Sequence, residues 1–321
     1  MAFESDASNF AWDNNDSRDV FVRDRQTKQT ERVSISSDGT EANSHSHYTG
    51  MSATGRFIIF RSDAKNLVPG DTNGMTDLFI RDRELGTTEC VSLTAVKNNG
   101  NSSWGLGTSA ISMDGRFVAF AIATPDPIFA RECRASQLLI CDRKLGTTKV
   151  VSLNNMLKHY PMSPEGLAFS PDGSLVALVL FSTENISHDT VANIFICDTH
   201  TGALQQASVG NNGEPAHALF QHPKFSSDNR FLSFRANHAD KLWGKAVDGE
   251  AMLVRDLLKK KTYIVECQPE MSFASWTSNW GPFMSADGHW LLYHKSGTTA
   301  TSRGIGGGVY AVDWQKQVRV K

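Results

Sequence analysis

The chain has no long apolar run. The longest, Leu175–Phe181, falls far short of the roughly 20 residues a membrane-spanning helix requires. It also has no excess of either charge: 32 Lys and Arg stand against 34 Asp and Glu, a formal net charge of −2. That balance removes the basic face with which a nucleic-acid binder displaces counterions, so no nucleic-acid partner is expected. Cysteine is scarce. Cys90, Cys133, Cys141, Cys197 and Cys267 are odd in number and contain no CxxC pair. Neither a disulfide framework nor a zinc knuckle is expected, and the thiols are read as free and mostly buried. The opening residues, MAFESDASNFAWDNND, have no basic start and no apolar stretch, so no signal peptide is expected. No GxSxG nucleophile elbow occurs.

A repeat is what the chain does have, and it decides the expected architecture. One block recurs six times, as VFVRD at 20–24, LFIRD at 78–82, LLICD at 138–142, IFICD at 194–198, MLVRD at 252–256 and VYAVD at 309–313. Its aspartates, Asp24, Asp82, Asp142, Asp198, Asp256 and Asp313, are separated by 58, 60, 56, 58 and 57 residues. A second block precedes it in five repeats: SATGRFIIF at 52–60, SMDGRFVAF at 112–120, SPDGSLVAL at 170–178, SSDNRFLSF at 226–234 and SADGHWLLY at 285–293. Each reads as a strand end, a tight Asp-Gly type of turn and a second strand rich in β-branched and aromatic residues. A third block follows as TERVSIS, TECVSLT, TKVVSLN, LQQASVG and TYIVECQ, with KQVRVK at the end.

Four short strands per repeat, six repeats and no helical period predict an all-β fold. The expected fold is a six-bladed β-propeller with four antiparallel strands per blade, forming one domain over 1–321. The expected blades are approximately 1–48, 49–106, 107–163, 164–219, 220–278 and 279–321. Two separate β-sandwiches would give no reason for a constant period. The first repeat begins at Met1-Ala2-Phe3, the counterpart of VAF or IIF, so the first blade is expected to lack its innermost strand. The last is expected to carry all four.

The recurring residues have structural readings. Met51, Ile111, Phe169, Phe225 and Met284 stand four residues before each turn glycine or Asn229, where they would pack between neighbouring blades. The six aspartates would accept backbone N–H bonds at the following hairpin, which makes them structural despite their ring-like regularity.

The blocks SMDGRFVAF, FRSDAKNLVPGDTNGMTDLFIRDRELGTTECVS and LAFSPDGSLVAL resemble TolB-like (PD40, WD40-like) propeller repeats over almost the whole chain. The resemblance implies a propeller whose kin serve as interaction modules or as gates of peptidases. It also implies a periplasmic or secreted setting, although this N-terminus carries no signal for export.

Two sets of residues stand out from the repeat. In a propeller, the segments leading into each opening strand reach one face around the axis. Here they carry His45, His47 and Tyr48; Trp104; His159 and Tyr160; His217 and His222; and Trp276 and Trp280. Imidazoles can bind metals or move protons, and indoles can stack on sugars or anchor peptides. The plainer reading is that they plug the channel mouth. The second set is the loop 71–77, where Asp71, Asn73 and Asp77 place oxygens at positions 1, 3 and 7. Asp13, Asn15 and Asp19 are its counterpart in the first repeat. Calcium is a candidate ligand for these loops, which offer two or three carboxylates. Asp and Asn also form such turns unaided.

The reading is therefore a non-enzymatic propeller acting as a protein-interaction module or subunit of a larger assembly through its channel-mouth loops. The alternative is a hydrolase or carbohydrate-binding protein using the His and Trp cluster.

Overall fold

The computed structural model describes residues 1–10, 14–92, 108–125, 133–153, 165–183, 190–215, 218–243, 245–265, 283–296 and 307–319. Their regular secondary structure is almost entirely strand, and they divide into two compact units, Met1–Leu157 and Lys158–Lys321.

In the first unit, β1 (Ala2–Ser5), β2 (Asp19–Arg23) and β3 (Thr30–Arg32) form a three-stranded antiparallel sheet. The second sheet is the meander β4 (Ser46–Met51), β5 (Phe57–Ser62), β6 (Asp77–Asp82) and β7 (Thr87–Cys90). The third is β8 (Ser109–Ile111), β9 (Phe117–Pro125), β10 (Cys133–Asp142) and β11 (Thr147–Ser152). Each follows the order of the three sequence blocks, and the first sheet has the three strands its missing block implies.

The second unit repeats the scheme in β12 (Glu165–Phe169), β13 (Leu175–Thr183), β14 (Thr190–Asp198) and β15 (Leu204–Gln206). The next meander is β16 (Leu219–Phe225), β17 (Phe231–Leu242), β18 (Lys245–Asp256) and β19 (Lys261–Val265). These two are not separate sheets. One parallel pairing, Ala192 with Leu219, joins them into a single eight-stranded sheet.

The last sheet departs from expectation. It holds three strands, β20 (Phe283–Met284), β21 (Trp290–Ser296) and β22 (Gly307–Asp313), and the segment read as a fourth strand is instead a helix, α1 (Trp314–Arg319). Lys, Gln and Arg are good helix formers there. Trp314 also anchors the turn: it is buried, its Nε1 donates to the Gly288 carbonyl at 2.8 Å, and its ring meets Phe231 edge-on at 5.2 Å.

Both faces of a sheet are buried, and the period-2 alternation of side chains divides them. Ile58, Phe60 and Phe79 pack with Val20, Val22 and Val33 of the first sheet. Their neighbours Ile59, Leu78 and Ile80 point the other way, onto Val118, Phe120 and Leu139 of the third. In the second unit, Leu232, Phe234 and Leu253 pack with Ala177, Val179 and Ile194, while Phe231, Met252 and Val254 pack with Leu291 and Trp314. Met51, Ile111, Phe225 and Met284 all lie against such inter-sheet clusters, as their spacing predicts. Cys90, Cys141 and Cys197 are buried thiols.

The turns are stapled by their own side chains. In SMDGRF, the backbone N–H of Phe117 donates to Ser112 Oγ at 2.9 Å, and Ser112 Oγ donates to Asp114 at 2.6 Å. The same N–H to serine bond recurs at Ser52, Ser170, Ser226 and Ser285. The glycine is required twice over at Gly115, where φ is +75° and an added Cβ would lie 2.2 Å from Phe57 of the preceding sheet. Asn229 takes the equivalent position at φ 60°, a left-handed conformation that asparagine tolerates better than most residues.

Phe234 is fully buried and meets Phe220 edge-on at 5.7 Å, so Phe234→Ala is expected to cost about 3–5 kcal/mol in chemical denaturation. Leu258→Ala, at an exposed turn, should change stability by no more than about 0.5 kcal/mol.

Candidate functional site

Five of the six repeat aspartates are fixed by the hairpins that follow them, and Asp313 by the first turn of α1. Asp82 Oδ1 accepts from the backbone N–H groups of Glu84 and Leu85 at 3.0 and 3.2 Å, and Asp142 Oδ1 from those of Lys144 and Leu145 at 3.0 and 3.2 Å. Asp24 and Asp198 each take two such bonds, and Asp256 and Asp313 one each. An arginine from the preceding turn completes three of them. Arg56 Nη2 reaches Asp82 at 2.7 Å, Arg116 Nη2 reaches Asp142 at 2.7 Å, and Arg230 Nη2 reaches Asp256 at 2.9 Å. These guanidiniums, with the turn amides, hold Asp82 and Asp142 below the usual carboxylate range. The arginine is the R of the TGRF, DGRF and DNRF blocks, and its partnership across 26 residues was not read from the sequence. The most regular acids are thereby committed to the scaffold.

Of the residues singled out before the opening strands, His45, His47 and Tyr48 come together at the start of β4. Residues in and beside the first sheet that sequence reasoning missed join them. Glu4 Oε2 lies 3.3 Å from His47 Nδ1 and accepts from the Tyr48 backbone N–H at 3.1 Å. The Arg18 backbone N–H donates to His45 Nδ1 at 3.0 Å, and the Arg18 guanidinium makes a two-pronged contact with Asp6 at 3.1 and 2.8 Å. His47 and Glu4 keep 37% and 38% of their side-chain surface exposed, so this polar-aromatic cluster is open to solvent. Tyr48 is turned toward the core, and burial raises its phenol above the ordinary range.

His222 lies in the other unit, on a bulge of β16 between Gln221 and Lys224, at φ 55°. Bulges interrupt β4 and β12 at comparable places, between Tyr48 and Gly50 and between Glu165 and Ala168. Burial first, then the charges of Arg235 and Lys224, push the His222 imidazole down to about 4. Trp104, His159, Tyr160, His217, Trp276 and Trp280 lie outside the described residues.

The two loops proposed for calcium resemble each other only in part. In the first, Asn15 Nδ2 donates to Asp19 Oδ2 at 3.2 Å, and Asn15 Oδ1 accepts from the Ser17 backbone N–H at 2.8 Å. In the second, Asn73 does the same with Asp77 and Met75, both at 2.8 Å. These are the Asx-turns that the composition allows. Asp19 is completed internally by Ser34 Oγ at 2.6 Å and by Arg32 Nε at 3.3 Å. Asp71 is not completed. It is 6% exposed, no side chain donates to either carboxylate oxygen, and burial first, then the nearby Asp77, raises its proton affinity although the Asn73 backbone N–H opposes the shift. Asp13 lies outside the described residues. Among the described residues no three His, Cys, Asp or Glu side chains converge into a ready-made metal cluster, and no helix is long and apolar enough to cross a membrane.

No family model and no curated protein sequence matches the chain. Solved structures do resemble it. The GH74 xyloglucanase of Xanthomonas campestris matches 92% of this chain and 41% of its own, at 9% identity and a TM-score of 0.50. A TolB-type protein of Agrobacterium tumefaciens matches 91% of this chain and 83% of its own, at 15% identity and a TM-score of 0.45. The β-propeller domain of the Trilobed protease of Pyrococcus furiosus matches 84% and 68%, at 10% identity and 0.45. The chain spans about one third of the tricorn protease and prolyl endopeptidase structures it also matches. At such identities the likeness concerns the fold alone, and the neighbours include β-propeller proteins.

His222 supplies a pH test. Its folded-state pKa of about 4 lies below the ordinary imidazole value of 6.5, so the unfolded chain binds the proton more readily. The neutral imidazole therefore contributes stability above pH 6.5 that is lost as pH falls toward 4. The loss is on the order of 2 kcal/mol once partial exposure is discounted. His222→Asn keeps a residue tolerant of positive φ but cannot titrate, and should flatten the stability profile between pH 6.5 and 4. An unchanged profile would place the titration elsewhere.

Proposed function

We propose that the chain is a six-bladed, TolB-like β-propeller that works as a protein-interaction module or a subunit of a larger assembly. The partner docks over the loops that open each repeat. The reading is supported by how the polar residues are divided. Repeat aspartates, serines and arginines are consumed in turns, while Glu4, Asp6, Arg18, His45 and His47 form an open cluster that the repeat does not require. That cluster is the observation on which the proposal chiefly rests. A stable scaffold carrying variable loops is suited to recognition, and polar-aromatic side chains with few rotatable bonds are suited to making it.

Affinity capture from the native host, followed by titration of the captured partner, tests the proposal. Trp104→Ala with Trp280→Ala should weaken binding roughly thirtyfold, the equivalent of about 2 kcal/mol, and leave the Tm nearly unchanged. Glu4→Ala with His47→Ala should weaken the same complex. Binding that survives both pairs, or a collapse of stability in the tryptophan pair, would place the site elsewhere and make these residues packing groups.

A further inference from the structure

Three repeats solve one problem in three ways. The residue immediately before the third-strand block is Asp19 in the first repeat, Asp77 in the second and Asn193 in the fourth. In each case a serine two residues beyond the repeat's last strand bridges it to the backbone. Ser34, Ser92 and Ser208 accept from the N–H groups of Val20, Leu78 and Ile194 at 3.1, 3.0 and 3.1 Å. Their hydroxyls donate to Asp19, Asp77 and Asn193.

The residue two places before that serine differs. It is Arg32 in the first repeat, where the guanidinium meets the Asp19 carboxylate at 3.3 Å and also pairs with Glu41. In the fourth repeat it is Gln206, whose Nε2 donates to the neutral Asn193 at 2.9 Å. Charge faces charge in the first, and amide faces amide in the fourth. In the second repeat the position is Cys90, a buried thiol that brings no cation, yet the partner remains a carboxylate.

The second repeat then adds a further acid. Asp71 is 6% exposed and Asp77 4%, and no side chain donates to either Asp71 oxygen. No salt bridge reaches either acid among the described residues, and Lys65, the basic group whose charge is felt at Asp71, is itself exposed. Burying carboxylates without a counter-charge is costly. Oxygen ligands without nitrogen or sulfur suit a hard cation, and an irregular loop suits calcium better than magnesium, which demands octahedral geometry.

We propose that the 71–77 loop binds one calcium ion through Asp71 and Asp77, and that this ion does in the second repeat what the Arg32 guanidinium does in the first. Water reaching the exposed tip at Thr72–Gly74 completes its shell. With two carboxylates the affinity falls in the weak range, a dissociation constant on the order of 10⁻⁴–10⁻³ M. The first repeat, with its own arginine, needs no ion.

The test is calorimetry on the full chain at pH 7.5, first stripped with chelator and then titrated with calcium chloride or magnesium chloride. The expected result is one calcium per chain and a Tm raised by roughly 4 °C when calcium is about a hundredfold above its dissociation constant. Magnesium at equal concentration should give little response. Asp71→Asn removes one of the two buried carboxylates. It should abolish the calcium response and, in chelator, melt no lower than the wild type. No binding by the wild type up to ~10 mM calcium, tenfold or more above that range, would overturn the proposal. So would a response retained in Asp71→Asn, an equal response to magnesium, or a variant less stable than the wild type in chelator.

Discussion

The structure depends on one constraint: each sheet has two apolar faces and no strand of its own to cover either. Ile58, Phe60 and Phe79 need the first sheet, while Ile59, Leu78 and Ile80 need the third. A single four-stranded meander cannot bury both faces alone, so the repeat is stable only in series. The same dependence explains why the turns are so heavily stapled. Where Gly115 fits beneath Phe57, and the Ala53 backbone N–H donates to the Met113 carbonyl at 2.8 Å, the turn itself is part of the contact between sheets.

That constraint also separates scaffold from function. The side chains that recur with the period are bound to one another: serine to turn amide, aspartate to hairpin amide, arginine to aspartate. Residues free of the period can vary at little cost to that scaffold. The Glu4–His47 and Arg18–Asp6 contacts belong to this second group, as does the uncompensated Asp71. The two loops at 13–19 and 71–77 look alike as strings of Asp and Asn. Their chemistry is set by a residue on another strand, arginine in one and cysteine in the other.

Much of the fold was legible because the repeat carries its own alignment. The strand order, the positions of the six aspartates, the left-handed turn at Asn229 and the inter-sheet role of Met51 or Ile111 all follow from register within the period. What was not legible depends on contacts that no single block contains. The Trp314 indole buries itself against Phe231 and Gly288, and so turns an expected strand into α1. The Ala192–Leu219 pairing fuses two meanders because their edges approach, which alternation within a strand does not encode. The candidate site was legible only as residue types. His47 was visible as an interruption of the repeat, but its partner Glu4 lies 43 residues earlier, in a strand whose pattern is ordinary.

The proposal that follows from two-faced sheets is that they close into one ring of six blades. Small-angle X-ray scattering tests it most directly. A single closed domain of this length predicts a radius of gyration of about 20 Å and a pair-distance distribution with one maximum. A larger radius with two resolved maxima would contradict the account.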